Sequence, residues 1–141
     1  MKNKNVSISL SANLSSLKLL RDQIRMFMAS LIAGDQATQM TSRLVLAVDE
    51  VIANIIEHGQ LKLDDDIRVQ LKTDAEQISV EVVDRGVEFN PLERRVNVEA
   101  YYKEGREDGL GLLALKNFTC VYERSAVGEN HLTISKKWSE L

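Results

Sequence analysis

The chain has one cysteine, no apolar run near the roughly 20 residues needed to cross a bilayer, and no surplus of positive charge. Each absence removes a class of function. Cys120 has no second thiol to pair with and no Cys or His beside it at metal-ligand spacing, and its segment is apolar, so it reads as a small core residue. Against 21 Asp and Glu stand 18 Lys and Arg, a formal charge of −3, which gives nothing to hold a phosphate backbone. Nucleic acid is not an expected partner. Met1 to Asn5 leads into an alternating strand pattern rather than a signal-peptide core, so the expected setting is cytoplasmic, with no membrane contact. Internal repeats and low-complexity linkers are also missing. What remains is 141 residues with 44% hydrophobic content, enough for one domain, 1–141, around a single core.

Val6, Ile8 and Leu10 alternate with serines, the period of a half-buried strand. From Leu14 the apolar positions Leu17, Leu20, Ile24, Phe27, Met28 and Leu31 recur every three or four residues, predicting an amphipathic helix with Gly34 as its stop. A second helix is expected from Thr41 or Ser42 to Gly59, with Leu44, Val48, Val51 and Ile55 facing the core. Ile67, Val69 and Leu71, then Ile78, Val80 and Val82, form a hairpin turned by Thr73 to Glu76. A helix over 111–118 and strands over 120–124 and 132–136 complete a β, α, α, β, β, α, β, β order. That order predicts an α+β, two-layer sandwich: a mixed, largely antiparallel sheet with helices on one face.

Three groups of residues carry candidate chemistry. Glu50 and Asn54 are four apart and so neighbours on a helix, and the segments around them are apolar nearly all round. A Glu and an Asn on so well covered a helix would face a pocket. Asp84 continues the phase of Val80 and Val82, which directs its carboxylate toward the core face, and Gly86 then permits close backbone approach. A carboxylate there can accept from an exocyclic amine such as adenine N6. Gly109-Leu110-Gly111 is read as the turn that opens the last main helix, where bare N–H groups and the helix dipole favour a phosphate. Each signal alone has an ordinary explanation: a solvated helix face, an Asp bonded to its own backbone, a hinge before a helix. About two dozen weakly periodic residues separate Asp84 from the last main helix, longer than most connections in compact domains. They include Lys103 and Arg106.

In this order and spacing the three groups resemble the GHKL ATPase superfamily. The run Val48-Asp49-Glu50-Val51-Ile52-Ala53-Asn54-Ile55-Ile56-Glu57-His58-Gly59 is closest to the bacterial anti-sigma-factor serine/threonine kinases. Asp84-Arg85-Gly86-Val87-Glu88-Phe89-Asn90-Pro91 and Gly109-Leu110-Gly111-Leu112 extend the resemblance over nearly the whole chain. It implies a histidine-kinase-like ATPase fold with ATP and Mg²⁺ as ligands and a lid at about 86–108. Asn54 would coordinate the Mg²⁺, Asp84 would receive the adenine amine, and Gly86 would let the base approach. Gly109, Leu110 and Gly111 would bind phosphate, with His58, Asn90 and Thr133 also on the nucleotide. Arg106 or Lys103 would supply lid charge, and Glu50 would be the general base. One departure stands out: Glu88 occupies a position where the superfamily often has a second glycine.

The activity implied is phosphorylation of a STAS-domain anti-sigma antagonist by a protein that also holds a sigma factor, as a homodimer. The alternative is an ATP-gated protein-interaction module of the same fold without transfer activity.

Overall fold

Alternation at the start of the chain makes an edge strand, β1 (Lys4–Ser11), of one five-stranded sheet. The computed structural model describes residues 3–93 and 108–140, with side chains of the second stretch from Gly111 onward. After β1 come helices α1 (Leu17–Ala29) and α2 (Asp35–His58), then strands β2 (Asp66–Thr73) and β3 (Gln77–Asp84). Helix α3 (Asp108–Leu115) and strands β4 (Thr119–Arg124) and β5 (Asn130–Lys137) follow. The spatial order is β1-β2-β3-β5-β4, and all four pairings are antiparallel, so the expected mixed sheet has no parallel pair among the described residues.

Register explains where the core sits. Val6, Leu71, Val80, Ile134 and Cys120 line up across the five strands, and Ile8, Val69, Val82, Leu132 and Tyr122 form the next row. These rows meet the helices. The third row begins as Leu10 and Ile67, but on the other three strands it continues as Asp84, Asn130 and Arg124. The face that is hydrocarbon through most of its area therefore turns polar at one corner, beside the end of α2.

Helix boundaries differ from the expected ones for local reasons. The first turn, Leu14–Ser16, is a 3₁₀ turn whose cap Asn13 accepts from the Ser15 N–H at 3.1 Å. α1 ends at Ala29, where the Ser30 hydroxyl donates to the Phe27 carbonyl at 2.6 Å. Gly34 is not its stop. With φ of 95° it is the entry to α2, which starts at Asp35, well before Thr41. Asp35 suits the positive end of the helix dipole, and buried Ala37 and Met40 carry the apolar stripe back through a stretch that looks polar in sequence. α3 is likewise displaced toward the N-terminus: it ends at Leu115, and the next three N–H groups bond three residues back.

α1 and α3 both lie against α2. Arg21 joins α1 to Asp49 of α2 by a forked ion pair at 2.8 and 2.9 Å, half open to solvent and so worth about 0–1 kcal/mol. Burial of the apolar rows dominates. Leu71, fully enclosed at the centre of the sheet, tests this: Leu71→Ala is expected to lower unfolding free energy by about 2–5 kcal/mol. In urea melts this should appear as a lower midpoint with an unchanged slope.

Candidate functional site

Glu50 and Asn54 occupy the side of α2 that meets α3. Both are enclosed, at 9% and 2% exposure, and the Asn54 amide nitrogen donates to Glu50 Oε1 at 3.0 Å. Gly111 of α3 packs directly on Glu50. A Cβ on Gly111 would lie 2.6 Å from Glu50 Cβ and 3.0 Å from Glu50 Oε2, so only glycine lets the two helices approach this closely. Gly109, Leu110 and Gly111 thus lie inside α3, not in a turn ahead of it. The first-turn N–H groups of such a helix have no intrahelical acceptor and carry the positive end of its dipole.

The second cluster lies at the end of β3. Asp84, 2% exposed, accepts at Oδ1 from the Asn130 amide and from the Gly86 N–H, both at 2.9 Å. The bond to Gly86 is the ordinary Asx turn expected of an Asp in that position, and it coexists with the inward direction of the carboxylate. Burial pushes the Asp84 carboxyl above its usual range. The two hydrogen bonds, and the charges of Arg124 and His131, act against that rise. Gly86 is required by contact: a Cβ there would lie 2.4 Å from the Gly59 carbonyl oxygen, which also receives the Val87 N–H at 3.0 Å. This contact joins the turn after β3 to the end of α2, directly after His58.

His58 tilts against Phe89 with ring centroids 5.7 Å apart, and together with Glu88, Asn90 and Glu93 they line an open cavity of about 360 Å³. The Asn90 side chain accepts from the Leu92 N–H at 3.0 Å, holding the short turn Pro91–Glu93. Glu50, Asn54, His58, Asp84, Gly86, Asn90 and Gly111 therefore lie along one strip, from the α2–α3 contact to the β3 turn. Thr133 is not brought to it. Thr133 pairs with Glu81 and Val121, and the alternation of β5 puts it on the sheet face opposite Asn130 and Leu132. Lys103, Arg106 and the centre of the expected lid lie outside the described residues.

Sequence reading missed Asn130. It occupies the same phase of β5 as buried Leu132 and Ile134, the signal that singled out Asp84, but the strand was expected to begin two residues later. Tyr122 and Arg124, which bond to Asn130, were missed with it.

The donor set fits a hard cation held mostly by its other ligands. Among the described residues no group of three His, Cys, Asp or Glu side chains gathers as a metal cage. Mg²⁺ bound through phosphate and water oxygens needs only one or two protein oxygens. Since Asn54 points its nitrogen at Glu50, its carbonyl oxygen is directed away from that carboxylate.

The raised Asp84 carboxyl predicts a trade-off. A group whose proton is held more tightly in the folded state contributes stability below its unfolded-state value, near 3.8, and that contribution is lost as pH rises through the folded-state value. Asp84→Asn keeps an acceptor for Asn130 and Gly86 without the buried charge. Its stability relative to wild type should improve between acid and neutral pH in paired thermal melts. It should also lose about 10- to 100-fold in affinity for any ligand that donates an amine to the carboxylate.

Comparison with known proteins agrees with this geometry. Residues 10–136 match the family described as the histidine kinase-like ATPase domain. No curated protein matches the chain. Among solved structures, the RsbU and RsbW domains of Rv1364c from Mycobacterium tuberculosis align with a TM-score of 0.59 and 17% identity, over 94% of this chain. This chain spans 32% of that one, and the likeness is one of fold. With its sheet covered by helices on one face, the Glu50/Asn54 helix, the Asp84 turn and a family match over nearly its full length, the chain belongs to the histidine kinase-like ATPases of the GHKL superfamily.

Proposed function

We propose that the domain binds Mg-ATP along the strip from Asp84 to Gly111 and transfers the γ-phosphoryl group to a serine or threonine hydroxyl of a partner protein. One observation carries the reading: a carboxylate, Glu50, hydrogen-bonded to Asn54 one helical turn away, both buried, with Gly111 of α3 packed on Glu50. Family membership supports nucleotide binding in general. Retention of Glu50 supports transfer.

Asp84 supplies the acceptor for the adenine amine, and the N–H groups at the start of α3 face the phosphates. Asn54 supplies a hard oxygen for the metal. Bound Mg²⁺ would neutralise charge on the phosphate oxygens, the larger part of catalysis in this reaction class. Glu50 takes the proton of the attacking hydroxyl as its oxygen bonds to phosphorus and the bond to the ADP oxygen breaks. By resemblance, the partner is a STAS-domain anti-sigma antagonist, a sigma factor is a second ligand, and the domain works as a homodimer in the cytoplasm.

Glu50 is nearly enclosed and has Gly111 packed on it, which narrows the approach of an incoming hydroxyl. That contact favours a second reading, an ATP-gated interaction module without transfer.

Two substitutions separate these readings. Incubated with labelled ATP and candidate STAS proteins, wild type should transfer label in a Mg²⁺-dependent way. Glu50→Ala should still bind ATP but transfer about 10²- to 10⁴-fold more slowly. Binding without transfer by wild type, with partner regulation intact in Glu50→Ala and lost in Asn54→Ala, would instead establish the gated module. Nucleotide binding itself is checked by melting: Mg-ATP at 100 times its Kd should add about 2.7 kcal/mol, and no shift would remove both readings.

A further inference from the structure

The polar corner of the helix-covered sheet face converges on Asn130, which is 3% exposed. Its amide nitrogen donates to Asp84 Oδ1 and to the Val87 carbonyl, both at 2.9 Å. Its oxygen accepts from the Tyr122 hydroxyl at 2.5 Å and from Arg124 Nη1 at 3.0 Å. A side-chain amide has two N–H donors and two acceptor lone pairs, so all four positions are used. Arg124 Nη1 reaches on to the Gly86 carbonyl at 2.8 Å, tying β4, β5 and the Asp84-Arg85-Gly86 turn together.

Chemistry fixes which way this amide faces. A guanidinium only donates, so the amide oxygen lies toward Arg124 and the NH₂ lies toward Asp84. Asp84 Oδ1 then receives two N–H donors, from Asn130 and Gly86. A carboxylate held in this way accepts hydrogen bonds from a ligand and does not donate to it. Such a group matches a purine edge with an exocyclic amine and repels one with a carbonyl in that place.

We infer that Asn130 is a positioning residue that sets base selectivity, acting through Asp84 to favour a purine with an exocyclic amine over one with a carbonyl there. The inference rests on the nucleotide-binding reading above. The Asn130 amide is fully bonded to protein groups, so it acts on the base through Asp84. In this role it reaches from β5, a strand that the Glu50/Asn54 and Asp84-Arg85-Gly86 motifs do not include, to the group that reads the base.

The test compares dissociation constants of Mg-ATP and Mg-ITP, which differ in the amine or carbonyl at purine position 6 and in the proton that the carbonyl form carries at N1. Wild type should prefer ATP by about tenfold or more, with a ratio nearly flat from about pH 6 to about pH 8. Asn130→Asp keeps the shape but sets two carboxyls against each other, and two so placed cannot both ionise freely. One retains a proton, Asp84 gains a donor, and the ATP preference should fall about fivefold or more, further at the lower pH. Arg124 and His131 act on Asp84, Tyr122 feels Asp84 and Glu88, and all four groups are common to both proteins. Asn130→Leu removes the donor outright and should also lower the ratio.

General destabilisation would weaken both nucleotides together and leave the ratio unchanged, so the ratio is the decisive reading. If Asn130→Leu fails to fold, the isosteric Asn130→Asp decides. An unchanged ratio in folded Asn130→Asp overturns the inference and leaves nucleotide binding standing, as does a wild type that binds ATP and ITP equally. A wild type that binds neither overturns the nucleotide reading and this inference with it.

Discussion

A carboxylate set among hydrocarbon is strongly unfavourable unless its oxygens receive donors, and the seating of Asp84 is the interaction on which the site depends. Its donors come from two directions. Gly86 supplies one from the turn just after β3, and Asn130 supplies the other from the neighbouring strand, so the carboxylate is anchored only when the sheet is paired in register. The β3 and β5 pairing therefore does two jobs: it closes the apolar rows and it delivers the amide. A one-residue slip would turn Asn130 to the open face and leave the charge with half its support.

Two glycine contacts then bring the remaining parts to that anchor. Gly86 lies on the Gly59 carbonyl and fixes the distance between the β3 turn and the end of α2. Gly111 lies on Glu50 and fixes the distance between α2 and α3. α2 is common to both contacts, so one helix sets the spacing from Asp84, proposed as the amine acceptor, to Glu50, proposed as the base. Rigid spacing of this kind suits a reaction in which positioning supplies most of the rate.

Much of this was legible in the sequence, for a physical reason. Alternation through Val80, Val82 and Asp84 places the acid on the core face without any knowledge of its partners, because strand geometry is local. The Glu50/Asn54 spacing behaves likewise on a helix. What sequence did not carry were facts set between elements. Asn130 looks like a loop residue until Asp84 is known to lie opposite it, and Thr133 looks like a site residue until its register with Glu81 turns it to the other face. The start of α2 was hidden because Gln36, Thr38, Gln39 and Thr41 flank the buried Ala37 and Met40. Gly109 to Gly111 read as a turn because glycine is a weak helix former, whereas the close helix crossing places these residues within a helix.

The contact between Gly111 and Glu50 also bears on how this chain can vary over generations. The space a side chain at 111 would fill is already taken by the stem and carboxylate of residue 50. Position 111 is therefore held to glycine by the closeness of the two helices. The nearest atom is the Cβ of residue 50, 2.6 Å away, which every residue but glycine carries, so even alanine at 50 leaves the demand for glycine at 111 in place. Glycine at 111 thus answers to the path of α2 itself, whatever side chain position 50 carries.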